Sequence, residues 1–183
     1  MTTTNQQYDQ AIGLCNDIFI KKTVDYGTSW RVLRTISIVD QIYIKAKRIR
    51  TIQENGTRAV ADDIPSEFKG IVNYSIIGII QCGLQPDGET ELALEQVSML
   101  YDDVVHNARS LMLSKNQDYG EAWRAMSQES FTDLILSKLL RIKQILSNKG
   151  RTLISEGIEA NYYDIINYGI FALIMIAEGR HGE

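Results

Sequence analysis

Cysteine, proline and histidine are all scarce, with two of each in 183 residues. The cysteines, Cys15 and Cys82, stand alone and match no CxxC or Cys/His ligand spacing, which excludes a zinc module and a disulfide scaffold and suggests small core thiols in a reducing compartment. So little proline, with 13 glycines, excludes collagen-like and proline-rich architectures. His106 and His181 have no serine, cysteine or acid at a triad-like spacing, and neither a GxGxxG nor a P-loop is present. Apolar runs reach about a dozen residues, short of the roughly 18 that suggest a membrane span, and Met1 to Asn5 lacks the basic and apolar regions of a secretion signal. A cytoplasmic protein is therefore expected. No segment alternates with the period-two pattern of a half-buried strand.

What is present is an ordinary globular composition, 44% hydrophobic and 23% charged with a net charge of -4. A chain of this length buries roughly 70% of its unfolded surface and needs neither disulfide nor metal to hold a core. The sequence also copies itself. Lys22-Thr-Val-Asp-Tyr-Gly-Thr-Ser-Trp-Arg31 returns as Lys115-Asn-Gln-Asp-Tyr-Gly-Glu-Ala-Trp-Arg124, and Tyr8 to Ile52 matches Tyr101 to Ile145 at 15 of 45 positions, far above chance. The register slips by one near Lys149, so that Gly56 meets Gly150 and Ile71-Val-Asn-Tyr74 meets Ile165-Ile-Asn-Tyr168; such a slip is expected in a loop. A turn-rich join over residues 83–88 divides the chain into a first repeat, 1–86, and a second, 87–183, packed as one globular domain.

Each repeat reads as three helices. Tyr8, Ala11, Ile12, Cys15, Ile18 and Phe19 recur at three-and-four spacing, as do Tyr101, Val104, Val105, Ala108, Leu111 and Met112, and Gly27 and Gly120 end these first helices. The second helices are expected to begin at Ser37-x-x-Asp40 and Ser130-x-x-Asp133, serine capping the first turn and the acid facing the positive helix end. The third, about Pro65 to Cys82 and Glu159 to Ala177, are apolar on nearly every side and should be central. The predicted class is all-α, a tandem duplication of a three-helix unit packed about a pseudo-two-fold axis.

Lysine inside an apolar stripe is the most informative feature. At about 100° per residue, Ile38, Ile42, Ile49 and Ile52 share an arc that contains Lys45 with Arg48 at its edge. Phe131, Ile135, Ile142 and Ile145 enclose Lys138, with Arg141 at the edge. Cations placed there need an acidic partner on a neighbouring helix, an anionic ligand or a wet cleft. The Asp-Tyr-Gly-x-x-Trp-Arg segments bring Asp25, Tyr26, Trp30 and Arg31, and again Asp118, Tyr119, Trp123 and Arg124, around a glycine turn; this suits base stacking with a phosphate contact, and equally a helix end whose aromatics cover the core. Asn73 and Asn167, inside apolar helices, need hydrogen-bond partners and are expected to tie helices together. Glu67 and Asp164 each keep one half of a Glu-x-x-Asp pair, a spacing that suits Mg2+, with Asp62, Asp63, Glu156 and Glu159 nearby as supplements or caps. The basic run over residues 45–50 is no duplex-binding stripe, because Lys47 and Arg50 face away from Lys45 and Lys47 becomes Leu140 in the second repeat.

Taken together, Lys-x-x-Asp-Tyr-Gly-x-x-Trp-Arg, Ser-x-x-Asp-x-Ile-x-x-Lys-x-x-Arg-Ile and Ile-x-Asn-Tyr, each present twice over about residues 8 to 178, resemble the nucleotide modification associated domain 1 family. That resemblance implies association with systems that alter nucleotides or DNA bases. A more distant similarity is to the all-α, MazG-like nucleoside triphosphate pyrophosphatases, which implies Mg2+ as cofactor, Glu67 and Asp164 as its ligands, and Lys45, Arg48, Lys138 and Arg141 on phosphates. The expected function is binding of a nucleotide or modified nucleotide, with phosphoanhydride hydrolysis as the accompanying activity. The alternative, from another class, is a non-catalytic helical interaction module whose repeats form a scaffold for a partner protein or a homodimer, with the apolar third helices as the associating surface.

Overall fold

The computed structural model describes residues 3–56, 63–153 and 156–181, and these form six α-helices with no strand among the described residues. Helices α1 (Thr4–Tyr26), α2 (Thr35–Asn55) and α3 (Ile64–Gly83) build the first repeat, and α4 (Leu94–Tyr119), α5 (Gln128–Ser147) and α6 (Ile158–Ala177) the second. A 3-10 turn follows the first helix of each, at Ser29–Val32 and Ala122–Ala125. The class is the expected one.

Glycine stops the first helices as anticipated, with Gly27 at φ 62° and Gly120 at φ 60°, a region that residues with a Cβ enter at a cost. The starts of the second helices differ from expectation. Ser37 and Ser130 lie inside the first turn; α5 is capped by Ser127, whose Oγ accepts from Ser130 N at 3.1 Å, while α2 starts after Arg34 with no side-chain cap. In α5 the cap thus lies three residues before the repeated serine, just after the 3-10 turn ends. The slip in register is absorbed at a helix end rather than in the loop beyond it. Gly56 N donates to Ile52 O at 2.8 Å, and Gly150 N donates to the equivalent Ile145 O at 2.8 Å across one extra residue, Lys149, held at φ 55°.

The third helices are central. Helices α3 and α6 lie against each other, with Phe68, Ile71, Val72 and Ile76 of one and Ile165, Ile166, Ile170 and Ala172 of the other fully buried. Close approach requires small residues: a methyl group at Gly78 would lie 2.6 Å from the Tyr162 ring, and one at Gly169 2.7 Å from Val72 Cγ2. The surface considered for homodimer pairing is thus consumed within the chain. Length and composition alone would let α6 cross a membrane, but 72% of that window is buried inside the protein, as in a core helix. Cys15 joins the core, and burial pushes its thiol up to about 12. Cys82 does not; it is exposed, because the last turn of α3 emerges from the bundle.

Reciprocal polar contacts join the repeats. The Tyr101 hydroxyl of α4 donates to Asn73 Oδ1 at 2.9 Å, and the Asn73 amide donates to Cys15 O at 2.9 Å. The equivalent Tyr8 hydroxyl of α1 donates to Asn167 Oδ1 at 2.9 Å, and the Asn167 amide donates to Ala108 O at 3.1 Å. Each asparagine therefore links the first helices of both repeats to a third helix. On the outside, Asp40 pairs with Lys143 at 2.8 Å and its counterpart Asp133 with Arg50 at 3.6 Å, so these acids reach across to the other repeat's second helix. These half-exposed pairs contribute little energy but mark the two-fold relation. Tyr8→Phe or Tyr101→Phe leaves a buried amide oxygen short of a donor; each should cost about 1–2 kcal/mol, measured by urea unfolding with unchanged slope.

Candidate functional site

Each repeat encloses one cavity at the same place, between its first helix, its 3-10 turn and its third helix. The first, of about 390 Å³, is lined by Phe19, Lys22, Tyr26, Trp30, Lys45, Glu67, Asn73 and Tyr74 among others. The second, of about 330 Å³, is lined by the counterparts Met112, Lys115, Tyr119, Trp123, Asn167 and Tyr168, together with Asp164 and Phe171. The tryptophans are 9% and 6% exposed, and both indole Nε1 donors are buried without a hydrogen-bond partner among the described residues. An unmet buried donor is costly and rare, so its recurrence at the same position of two cavities is notable. Tyr26 and Tyr119 stand at the rims, 70% and 76% exposed.

The cavities differ at several aligned positions, Glu67 against Asn161 and Phe19 against Met112 among them, and two further differences set their charge and their tryptophan surroundings apart. Asp164 of the second repeat aligns with Gly70 of the first. Lys115 reaches Asp164 Oδ1 at 2.7 Å and Lys138 reaches Oδ2 at 2.6 Å, so both carboxylate oxygens are occupied. Burial pushes the Asp164 carboxyl up, but the hydrogen bonds from the two ammonium groups outweigh it and hold the group below the ordinary aspartate value. In the first cavity Gly70 removes that acid, and the end of Lys45 fills its place: a Cβ at Gly70 would lie 2.8 Å from Lys45 Cε. Lys45 Nζ lies 3.3 Å from Glu67 Oε2, and Arg48 pairs with Glu67 Oε1. Lys22, counterpart of Lys115, makes no ion pair among the described residues. The second difference is Phe171 against Ile77. Phe171 stacks on Trp123, centroids 4.3 Å apart and planes 6° off parallel, while the Arg124 guanidinium lies 4.3 Å from the same indole. Both faces of Trp123 are covered. No aromatic ring or cation covers Trp30 among the described residues.

Several expected site residues serve elsewhere. Arg31 does not line the first cavity; it donates to Glu89 O at 3.1 Å, to Gln85 O at 2.8 Å and to the Gln81 side chain, fastening the join between repeats. Arg124 lines neither cavity, since it pairs with Glu121 and Glu178 and donates to Thr4 and Gln7, closing the end of α6 over the start of α1. Arg141 is exposed in a shallow hollow beside Arg50 and Asp133. Asp25 and Asp118 are exposed and line neither cavity, and Asp62 lies outside the described residues. Trp123 has no face free for a base. Lys22 and Lys115, not singled out as site residues from the sequence, open the ten-residue repeat and both line a cavity; that placement in the motif was the available signal.

Divalent metal does not suit these carboxylates. Glu67 and Asp164 line different cavities, each already holds two cationic side chains, and no group of three or more His, Cys, Asp or Glu could hold a metal among the described residues. The ion pairs match the alternative in which the apolar-stripe lysines meet an acid of the neighbouring helix.

A carboxylate whose pKa is depressed on folding stabilises the protein above its unfolded pKa, and that contribution disappears as pH falls through the folded value. Asp164→Asn should therefore lose about 3 kcal/mol at neutral pH and show a flatter decline of melting temperature than the parent below about pH 4, as read by acid titration of thermal unfolding.

Comparison with known proteins agrees with this repeated geometry. No curated protein and no solved structure matches the chain. A family model described as nucleotide modification associated domain 1 matches it twice, over residues 22–82 and 115–176, so that each match runs from the lysine of one cavity through its tryptophan turn to the end of the third helix. With the larger part of its length matched, the chain belongs to the nucleotide modification associated domain 1 family, and it carries that domain as a tandem pair.

Proposed function

We propose that the first repeat's cavity binds a nucleotide and that the second repeat's cavity is its internally filled counterpart. The observation that carries this reading is the combination, in one cavity of about 390 Å³, of an indole with an unmet buried N–H and an ammonium group, Lys22, that lacks an acid among the described residues. A base needs a flat apolar wall and directed hydrogen bonds; Trp30 and Phe19 supply the wall, and the Trp30 Nε1 donor suits a carbonyl or ring-nitrogen acceptor. A phosphate needs cations that are not already neutralised. Lys22 meets that need, and Lys45, which shares Glu67 with Arg48, can turn to a phosphate while Arg48 stays on the carboxylate. Association of the family with nucleotide modification is consistent with such a ligand.

The second cavity also holds an indole with an unmet N–H, but its ammonium groups are taken by Asp164, and Phe171 and Arg124 lie against the Trp123 ring. Binding, rather than hydrolysis of a phosphoanhydride, is the activity these ion pairs support, because Mg2+-assisted hydrolysis needs carboxylates open to the metal.

Thermal unfolding in the presence of nucleotides tests the proposal. A ligand at about a hundred times its dissociation constant adds about 2.7 kcal/mol, a shift of several degrees for a chain of this size. Trp30→Phe, which keeps an aromatic wall but removes the donor, should weaken binding about tenfold. Gly70→Asp, which recreates the acid of the second cavity, should abolish the shift, while Trp123→Phe should leave affinity unchanged. Equal loss on altering Trp123 would contradict the assignment to the first repeat.

A further inference from the structure

Charge at the first cavity specifies the phosphate as well as the nucleotide class. We infer, on the basis of the binding site just proposed, that its ligand is a nucleoside 5′-monophosphate bound without a metal ion. Two lysines, Lys22 and Lys45, line the cavity, and Glu67, the acid among its described lining residues, pairs with both Lys45 and Arg48. Lys22, and Lys45 once it leaves Glu67 to Arg48, can therefore face about two negative charges. A phosphomonoester carries about -1.5 to -2 at neutral pH, with its second pKa near 6, and matches them. A triphosphate carries roughly twice that charge and depends on a cation bridging its phosphates, while the described carboxylates that line the two cavities, Glu67 and Asp164, are both ion-paired.

Two further features agree. The volume of about 390 Å³ lies at the small end of ligand sites, room for a base, a sugar and one phosphate. Lys45 has freedom to approach such a phosphate, since it lies 3.3 Å from Glu67, a looser contact than the 2.6 Å between Lys138 and Asp164. Gly70 supplies the space: a side chain there would meet Lys45 Cε at 2.8 Å and Nζ at 3.2 Å. An incoming phosphate oxygen can exchange with Glu67 as the partner of Lys45 while Arg48 stays on Glu67, so no carboxylate is left bare.

Calorimetric titration of the whole chain separates the possibilities. The probes are the ribo- and deoxyribonucleoside 5′-monophosphates, the corresponding triphosphates with Mg2+ and with EDTA, the unphosphorylated nucleosides, and inorganic phosphate. At least one monophosphate should bind at least tenfold more tightly than its own nucleoside and its own triphosphate, equally in Mg2+ and EDTA, and its affinity should fall as pH drops through about 6 and the phosphate gains a proton. Lys22→Met should reduce that affinity at least tenfold with an unchanged melting temperature, whereas Lys115→Met in the second cavity should not alter it. Tighter, Mg2+-dependent binding of a triphosphate, or equal binding of a nucleoside, overturns the monophosphate assignment and leaves the nucleotide site standing. Failure of every probe to bind overturns both.

Discussion

Two third helices that are apolar on nearly every side cannot be covered by their own repeats, and their burial against each other is the constraint on which the rest of the molecule depends. Helices α3 and α6 meet closely because Gly78 and Gly169 lack side chains at the contact, with the small residues Ser75 and Ala172 at the aligned positions. Once this pair is set, the first helices flank it, and a polar group is needed wherever they touch its otherwise apolar surface. Asn73 and Asn167 meet that need, each accepting from a tyrosine of the opposite repeat and donating to a carbonyl of its own. A single buried amide thereby sets the axial position of three helices. The outer pairs Asp40 with Lys143 and Asp133 with Arg50 repeat the same two-fold relation at the surface.

Duplication of a fold duplicates its hollows. Each repeat leaves an opening beside its tryptophan turn, and the walls of both derive from the same motif. A few substitutions then set the two apart. Asp164 in place of glycine draws two lysines onto itself, and Phe171 in place of isoleucine lies flat on the tryptophan. The second repeat thus has its cavity lysines paired, while the first retains in Lys22 a cation without an ion pair among the described residues.

Much of the fold was legible in the sequence because helical periodicity is a local property. Three-and-four spacing marked the first helices, glycines marked their ends, and uniform apolarity marked the central pair within a residue or two of Ile64–Gly83 and Ile158–Ala177. The start of α5 lies earlier than Ser130 suggests because Ser127 is equally able to cap, and that of α2 lies earlier than Ser37 because the helix begins after Arg34 without any side-chain cap to mark it. Lys45 and Lys138 were visible as cations in an apolar stripe, but their partners Glu67 and Asp164 lie on another helix, about 20 or more residues away in sequence. Arg31 and Arg124 looked like phosphate ligands because guanidinium beside an aromatic suits that role; their true acceptors are backbone carbonyls of the join and acids at the end of α6, which no local motif reveals.

The sequence by itself determined the class, the duplication, the helix inventory and the set of residues able to carry charge or stack, because these depend on composition, spacing and internal repetition. Only the tertiary structure decided which of those residues face one another. Glu67 and Asp164 share a spacing pattern yet open into different cavities, Trp30 and Trp123 share a motif yet only Trp123 meets a ring and a cation among the described residues, and Lys22 emerges as a cavity lysine only when α1 packs against α3. The physical reason is that pairing and exposure are set by neighbours brought together across the bundle, and a side chain identical in both repeats has no identity of function until those neighbours are in place.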